Sequence, residues 1–554
     1  MELWIIVLSK IIWSNVIPAE GRVSNAERST TSQTSVWILL ATSVLALLPV
    51  WIPSYPPMVD LPQHAAQVAL LHNLQNADFA YSALFHLNWF TPYLLGYLLI
   101  YLFTPLFGII AACKLVVSLL VVGFPLSTAL LLRSVDVDVF WAILCIPCTY
   151  GFAYQWGFLN FLIAAPLGIV FFGFVMRSPP TPPVGSATLL AISTIGLFFC
   201  HALICAFFGI CAVLYLLAVA RSVKAAAIRI MPLTAVLPIA LLWVRRTLSH
   251  PAAKRSIIWD LNWHDTVESY YASLSQELHF TSPGWGRVSG FFPRLLGVTP
   301  SWRSVCIGMA LFLLPFCAGL RFHKRLAMWM PFLLCVAVLL WCPHAVFGTE
   351  FVYQRFTMFA VPLFLLLLRE PSVSPKMVLA IRSMALALVV VLIASAAQRA
   401  VAFSRETRGF QEALSHMQPS QRVLSLVFDH EDGISIAPTF LHFPSWYAAQ
   451  KQGVVDPSAA MMHPELVVYR PGRTPEAVLW DFEWHPDEFS WNDYSAEQYH
   501  YFVVRSVEDV GSTLFSQAPC AVNMRFHQEE WWLYERAADC QAVPERATTT
   551  FSQQ

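Results

Sequence analysis

The segment between Met58 and Leu74 reads Met58-Val-Asp-Leu-Pro-Gln-His-Ala-Ala-Gln-Val-Ala-Leu-Leu-His-Asn-Leu74 and separates two apolar stretches of the chain. Asp60 stands where a helix N-cap is expected, a proline follows in the first turn, and Gln63 has the spacing of a capping box. The pattern predicts a short amphipathic helix that packs on lipid or on other helices. Because Asp60 and His64 lie one helical turn apart, the carboxylate is either a plain helix cap or a reactive group beside a histidine.

The sequence on both sides of this segment is strongly apolar. Of its 554 residues, 57% are hydrophobic and 12% are charged, whereas soluble proteins carry about 25% charged residues. This composition indicates an integral membrane protein, and the zero net charge argues against a nucleic acid partner. Thirteen of the 34 acidic residues precede position 400 and the other 21 follow it. We therefore predict a cytoplasmic tail (1–35), a multi-spanning membrane domain (36–398) and a polar domain (399–554) with its own core.

Hydropathy and basic residues together predict the topology. Apolar segments long enough to cross a bilayer lie near 36–56, 89–107, 109–132, 230–247, 301–320, 326–342, 355–368 and 376–397. Two longer regions, 140–176 and 187–220, can each hold one crossing or two. Because Lys and Arg favour the cytoplasmic side, the basic clusters at 221–229, 321–325 and 369–382 predict about eleven transmembrane helices, with one broken crossing at 140–176.

This topology places three polar loops, 57–88, 248–300 and 343–354, on the outer face together with the C-terminal domain. The second loop is rich in aromatic residues, acids and histidines, including His264 and Asp265. Such a loop suits interfacial helices or the lining of a polar cleft. The same parity places Asp136-Val-Asp138 outside, where a short turn between helices is the simpler interpretation.

The C-terminal domain shows a different local pattern. Runs of β-branched and aromatic residues at 422–428, 466–469 and 499–504 alternate with helical patterns around 406–417 and 507–515. Such alternation predicts a small α/β domain. On the outer side of a membrane, Cys520 and Cys540 are expected to form a disulfide. The chain has no Asn-x-Ser/Thr sequon, which favours a bacterial inner membrane with this domain in the periplasm.

The layout and one motif resemble a known family. The segment Pro57-Met-Val-Asp60-Leu-Pro-Gln-His64 is similar to the first external loop of the multi-spanning C-type glycosyltransferases, which use polyprenyl-phosphate-linked sugars. The resemblance implies a lipid-linked sugar donor and a glycan, lipid or protein acceptor within membrane lipid. Many members carry a paired acid in this loop, whereas Leu61 follows Asp60 here. No metal ligand or cofactor is therefore assigned, and a requirement for a divalent cation stays open.

The chemistry of sugar transfer suggests roles for individual residues. A base must take the proton of the attacking hydroxyl, and positive charge must stabilise the departing phosphate. Asp60 is the candidate base, with His64 beside it, and Arg355 is the candidate phosphate ligand because guanidinium binds phosphate bidentately. The remaining candidate substrate-binding residues lie in the outer loops: His344, Glu350, Tyr353, His264 and Asp265.

Two other function classes compete with the transferase. A transporter or flippase typically shows internal repeats and ionisable residues at the membrane midplane, but the spans here are nearly free of charge and no repeat is evident. A membrane-anchored scaffold would not need an acid in its first loop. The one-sided distribution of polar residues therefore favours a transferase that works at the outer surface, and the resemblance implies one of the inverting type.

Overall fold

The computed structural model describes residues 25–249, 257–258, 287–288, 290–346, 349–369, 375–433, 435–462, 464–475 and 482–538. Across these residues the chain is mostly helical, with one larger sheet near its C-terminal end. His264, Asp265 and Cys540 lie outside the described residues. Cys520 is disulfide-bonded, and its pairing with Cys540 stays a prediction.

Sixteen α-helices form the described part of the helical body. They are α1 Asn25–Leu45, α2 Leu48–Trp51, α3 Leu61–Asn73, α4 Leu94–Phe107, α5 Ile109–Leu132, α6 Phe152–Trp156, α7 Leu159–Arg177, α8 Val184–Cys200, α9 Ala202–Val219, α10 Val223–Ile230, α11 Leu237–Ser249, α12 Phe291–Leu296, α13 Trp302–Cys317, α14 Leu326–Trp341, α15 Ala360–Leu365 and α16 Pro375–Glu406. Short 3-10 helices, among them Val139–Cys145, Pro147–Tyr150, Met231–Val236 and Gln354–Phe359, continue several of these. Three two-stranded pairings lie within or beside the body: β1 Phe85–Leu87 with a later strand, β2 Ile257–Ile258 with β4 Ala345–Val346, and β3 Arg321–Phe322 with β5 Leu368–Arg369.

Six helical segments of the described chain are long and apolar enough to cross a membrane. They are Gln33–Trp51, Ile109–Val135, Leu159–Arg177, Ala202–Val219, Val223–Ser249 and Lys376–Ser415. Five shorter helices are also apolar: Leu94–Phe107, Val139–Tyr150, Val184–Cys200, Trp302–Cys317 and Leu326–Trp341. This length and composition fit a membrane protein.

Contacts define two ends of the helical body. At one end, called the Asp60 end, the backbone N–H of Asp60 donates to the carbonyl of Trp156 over 3.1 Å. At the other, called the Arg177 end, Arg177 donates to the Leu130 carbonyl and the Ser134 hydroxyl, both over 3.1 Å. The segment 133–177 thus leaves the Arg177 end, turns beside Asp60 and returns.

Two interpretations of the sequence are corrected by this geometry. The region 140–176 passes through the body twice, because its aromatic turn at 150–157 reaches the Asp60 end. The stretch 89–107 does not pass through: α4 contacts His64 near its start, and Lys114, in the second turn of α5, donates to the Pro53 carbonyl just before the Asp60 loop. The region 187–220 likewise holds two helices, α8 and α9, which meet at His201 and pack against each other.

The pair Asp136 and Asp138 lies at the Arg177 end. Asp138 forms an ion pair with Arg382 at 2.9 Å, and Arg382 belongs to one of the basic clusters predicted to be cytoplasmic. The prediction that this acidic pair shares the side of Asp60 is therefore wrong. The error followed from treating 140–176 as one crossing.

The C-terminal part of the chain builds a five-stranded mixed sheet in the order β10-β11-β9-β6-β7. Its strands are β6 Arg422–Val427, β7 Val454–Asp456, β9 Tyr501–Arg505, β10 Val522–Gln528 and β11 Trp531–Arg536, with helices α17 Arg408–Ser415, α18 Trp446–Lys451 and α19 Gly511–Leu514. Strand β6 runs parallel to β7 and β9. Leu424 and Leu426 pack in one core, whereas Val423 and Val427 pack in the other. Because both faces are covered, β6 reads as a continuous apolar run.

The predicted α/β pattern is present, with two differences. Strand β8, Val467–Tyr469, does not join the sheet but pairs antiparallel with β1 of the first loop. The predicted boundary at 398/399 falls inside α16, which continues to Glu406. The C-terminal part is thus tied to the helical body by a continuous helix and by backbone pairing.

Helix α3 is buried between these two parts. Its residues 61–71 are buried except His64, which is partly exposed. Gln63 does not form the predicted capping box: its side chain donates to the Pro457 carbonyl at 3.0 Å and accepts from the Ala459 N–H at 2.9 Å. Gln67 makes the same double contact with the backbone of Val467. The polar face of the amphipathic helix therefore binds the C-terminal part instead of water.

Candidate functional site

Asp60 is held by its backbone and not by a capping bond. The N–H groups of Val59 and Asp60 donate to the carbonyls of Gln155 and Trp156 at 2.9 and 3.1 Å. Gly157 has φ +78°, and a Cβ there would lie 2.7 Å from the Asp60 nitrogen, so glycine alone allows this close approach. Asp60 occupies the N-cap position of α3, as predicted, but its side chain makes no capping bond. The plain-cap interpretation therefore does not explain the carboxylate.

The carboxylate of Asp60 instead binds a histidine from the C-terminal part. Its Oδ1 lies 3.0 Å from Nδ1 of His442, and Nε2 of the same ring lies 3.0 Å from Oε2 of Glu483. Burial opposes a charge on this ring, but the charge and hydrogen bonds of Glu483 and Asp60 outweigh it and raise the pKa of His442 to about 10. His442 is thus a cation at neutral pH, clamped between two carboxylates. The side chain of Asp60 remains 26% exposed.

A second hydrogen-bonded network, formed by His64, Tyr97 and Glu465, lies close to Asp60. Nδ1 of His64 lies 2.8 Å from the hydroxyl of Tyr97 on α4, which donates to the carboxylate of Glu465. Burial lowers the pKa of His64 to about 4, although the charge of Asp60 opposes this. Burial also raises the pKa of Glu465 to about 7. At neutral pH the network thus joins a neutral imidazole, a phenol and a carboxyl group close to its titration midpoint.

Arg355 supplies the positive charge on the third side. Its guanidinium lies 3.5 Å from the centroid of the Phe158 ring and donates to the Glu350 carbonyl at 2.8 Å. Arg355 is also near enough to Asp60 for electrostatic attraction. Two further rings, Trp156 and Phe351, contact each other with centroids 4.4 Å apart. The site thus combines the Asp60 carboxylate, the Arg355 guanidinium and a wall of aromatic rings.

Not all predicted residues meet there. Asp60, His64 and Arg355 come together, and Glu350 contributes its backbone carbonyl to Arg355. His344 instead bonds Gln354 at 2.7 Å, and Tyr353 is buried beneath the guanidinium of Arg287, 4.0 Å from its ring. These two side chains shape the 343–354 loop but make no described contact with Asp60.

Sequence reasoning missed His442, Glu465, Glu483 and Tyr97. His442 and Asp60 are 382 positions apart, and no local motif surrounds any of the four. The strongest available signal was the concentration of acids after residue 400, which did not identify which of them face the membrane domain.

No metal centre is evident in the described part of the chain. There, no three His, Cys, Asp or Glu side chains are grouped so that they could hold an ion. The sequence contains one Cys-x-x-Cys pattern, Cys145 to Cys148, but both thiols are buried and free. Burial of a thiol in apolar surroundings disfavours the thiolate that binds metal.

Neither a family model nor a curated protein is significantly similar to this chain. The function must therefore be inferred from the geometry.

Proposed function

We propose that the protein is a membrane glycosyltransferase that moves a sugar from a polyprenyl-phosphate donor to an acceptor at the outer face of the membrane. The observation that carries this proposal is the state of Asp60. Its carboxylate caps no helix, keeps part of its surface open and lies beside a guanidinium, where apolar helices meet a polar domain. A donor with its tail in lipid and its sugar at the surface requires an active site at such a boundary.

The proposed membrane topology follows from the two ends of the body. We place the Arg177 end in the cytoplasm, because basic residues gather there. Arg382 pairs with Asp138, Arg229 donates to the Ser178 carbonyl, and Arg229 and Arg325 both lie near Tyr215. Eleven crossings result, with 139–150 and 159–177 as two of them, 354–365 as another and α4 at the outer surface. The C-terminal part then lies outside, which for a bacterial inner membrane is the periplasm.

Cysteine labelling tests this topology. Asp136 and Trp89 are both exposed, the first at the Arg177 end and the second in the loop before α4. In a background with the exposed Cys306 and Cys317 replaced by serine, we expect a membrane-impermeant thiol reagent to label Trp89→Cys in intact cells but not Asp136→Cys. Labelling of Asp136→Cys from outside would contradict the proposed topology. It would place Asp136 on the outer side and support a single crossing at 140–176.

The mechanism assigns one role to each charged group. The acceptor oxygen attacks the anomeric carbon while Asp60 takes its proton, and the bond between that carbon and the phosphate oxygen breaks. The electron pair leaves on the phosphate, whose charge Arg355 stabilises. A cationic His442 alone would weaken Asp60 as a base, but Glu483 balances its charge from the far side of the ring. The cluster therefore orients Asp60 while preserving its basicity.

Product analysis in cells tests the function. We expect lipid-linked sugars to accumulate and a surface glycan to lose one sugar when the protein is absent, as measured by mass spectrometry of both pools. Wild-type protein should restore the glycan, whereas an equal amount of membrane-inserted Asp60→Asn should not. Unchanged sugar pools in its absence would contradict the proposal.

A further inference from the structure

A cavity of about 180 Å³ lies at the Asp60 end, apart from the site described above. It opens between the start of α13, the 3-10 helix Pro147–Tyr150 and the part of α16 around Arg399. Tyr150 lines it, whereas Gln155 and Trp156, further along the same turn, accept through their carbonyls from the N–H groups of Val59 and Asp60. The turn thus separates the cavity from Asp60.

Two guanidinium groups give this cavity its charge. Arg303 and Arg399 both line it, together with the hydroxyls of Ser301, Ser304 and Ser395. Arg399 donates to Ser395 at 3.1 Å, and Arg303 lies 5.7 Å from the ring of Trp302. Among the described residues, no carboxylate forms an ion pair with either arginine. Both cations are therefore available to an anion.

One acid near Arg399, Asp432, reduces this charge only in part. Asp432 lies in a smaller adjoining cavity, of which Arg399 forms the shared wall, and it attracts Arg399. Its oxygens already accept from the N–H and hydroxyl of Ser435 and from the hydroxyl of Thr439. Because Arg303 and Arg399 carry two positive charges and Asp432 carries one negative charge, the cavity keeps a net positive charge.

The other wall of the cavity is apolar. Ile307 of α13 and Leu392 and Ile393 of α16 line it, and both helices are predominantly apolar. Trp302, next in sequence to Ser301 and Arg303 of the cavity wall, is 73% exposed, as is common for tryptophan at a membrane surface. A ligand that fits must therefore carry an anionic group and a hydrocarbon chain.

We infer that this cavity binds the phosphate headgroup of an anionic membrane lipid. Guanidinium groups bind phosphate oxygens through charge-assisted hydrogen bonds, and the hydroxyls of Ser301 and Ser395 can donate to the remaining oxygens. The hydrocarbon chain would follow the apolar wall between α13 and α16. This site is independent of sugar transfer at Asp60. Free phosphate shares the headgroup chemistry, but it makes no use of the apolar wall.

Lipid binding by the purified full-length protein tests this inference. The probes are spin-labelled phosphatidylglycerol, spin-labelled phosphatidylcholine and inorganic phosphate. We expect wild type to bind phosphatidylglycerol in preference to phosphatidylcholine, and Arg303→Gln/Arg399→Gln to bind it at least about tenfold more weakly. A matched control, Arg221→Gln/Arg325→Gln, removes the same charge at the Arg177 end and should change affinity less than about twofold.

The remaining measurements distinguish a lipid headgroup from free phosphate as the ligand, and they control for misfolding of the variants. Arg303→Lys/Arg399→Lys keeps the charge without the bidentate geometry, so its affinity should fall between wild type and the glutamine variant. Phosphate at millimolar concentration should fail to displace the lipid; displacement would assign the site to free phosphate. Equal binding of the two lipids, or an unchanged affinity in a folded glutamine variant, would overturn the inference.

Discussion

Two carboxylates of this protein, Asp60 and Asp456, both bind cationic side chains but in different ways. Asp456 is fully buried and accepts four hydrogen bonds: 2.6 Å from Tyr469, 3.2 Å from Tyr499, and 3.0 and 2.8 Å from the Nε and an Nη of Arg422. Asp60 accepts a side-chain bond from His442 and keeps part of its surface open. The first carboxylate is saturated and the second is not.

The difference fits the proposed roles of a structural carboxylate at Asp456 and a reactive one at Asp60. A carboxylate that is closed to solvent and already accepts four hydrogen bonds is not available as a base, so Asp456 serves to hold β6 and β7 together. The next residue, Pro457, offers its carbonyl to Gln63 on α3. The saturated cluster therefore fixes the surface on which the Asp60 helix rests, while Asp60 remains free to react.

The largest effect is expected from Asp60→Asn. The amide cannot accept the acceptor's proton, and we expect the rate of sugar transfer to fall by about 10²–10⁴. The thermal midpoint should change little, since asparagine can still bond His442. The measurement is transfer from a purified lipid-linked donor, together with a melting curve.

Asp60→Glu serves as the matched control for charge. It keeps the negative charge but displaces the carboxylate by about a bond length, so it should also lower the rate, although less. If Asp60→Asn keeps wild-type activity, Asp60 is not the base. It would then be a structural carboxylate like Asp456.

Asp456→Asn should show the opposite pattern. Removing one partner of a buried ion pair leaves Arg422 uncompensated, and we expect the free energy of unfolding to fall by about 3–5 kcal/mol. Activity per folded molecule should be kept. Thermal melting in detergent, with transfer assayed well below the midpoint, separates the two effects. A stable but inactive Asp456→Asn protein would contradict a structural role.

His442→Gln should have an intermediate effect. Glutamine can bond one carboxylate but cannot bridge Asp60 and Glu483, so Asp60 loses its orientation and we expect about tenfold slower transfer. A pH dependence provides the second readout. Because the pKa of His442 is raised to about 10 from 6.5, its stabilisation is complete below about pH 6.5 and lost as pH rises through 10.

Melting temperatures at pH 7 and pH 10.5 check this. Wild type should lose more stability over that interval than His442→Gln, because only wild type loses the charged clamp. Identical losses in the two proteins would mean that the imidazolium does not stabilise the contact between the first loop and the C-terminal part.

The smallest effect is expected from Glu465→Gln. The folded pKa of Glu465 is about 7 against 4.5 for an ordinary glutamate, so the stability of wild type falls as pH rises through this interval. Glutamine stays neutral and can still accept from Tyr97. We expect equal melting temperatures near pH 5 and a higher one for the variant at pH 8. A variant that is less stable at pH 8 would show that Glu465 is needed as an anion.

Several features of the protein could be read from local sequence. The apolar helices, strands β6 and β9, and the helix that begins after Asp60 all follow from hydropathy or residue patterns over about ten to twenty residues. Each of these properties depends on neighbours in the chain, and the sequence therefore contains them directly. Length alone left one or two crossings open for both 140–176 and 187–220, because an apolar run of that size can hold either number.

Other features were decided only by tertiary structure. The sequence could not assign His442 to Asp60, Glu465 to Tyr97 or Gln63 to Pro457, because each pair is separated by more than 360 positions and one buried polar group can be satisfied by many partners. The double pass at 139–177 depends in the same way on where the 150–157 turn finds its hydrogen bonds. Hydropathy determines that a segment is buried, but only the packed chain determines which distant group it meets.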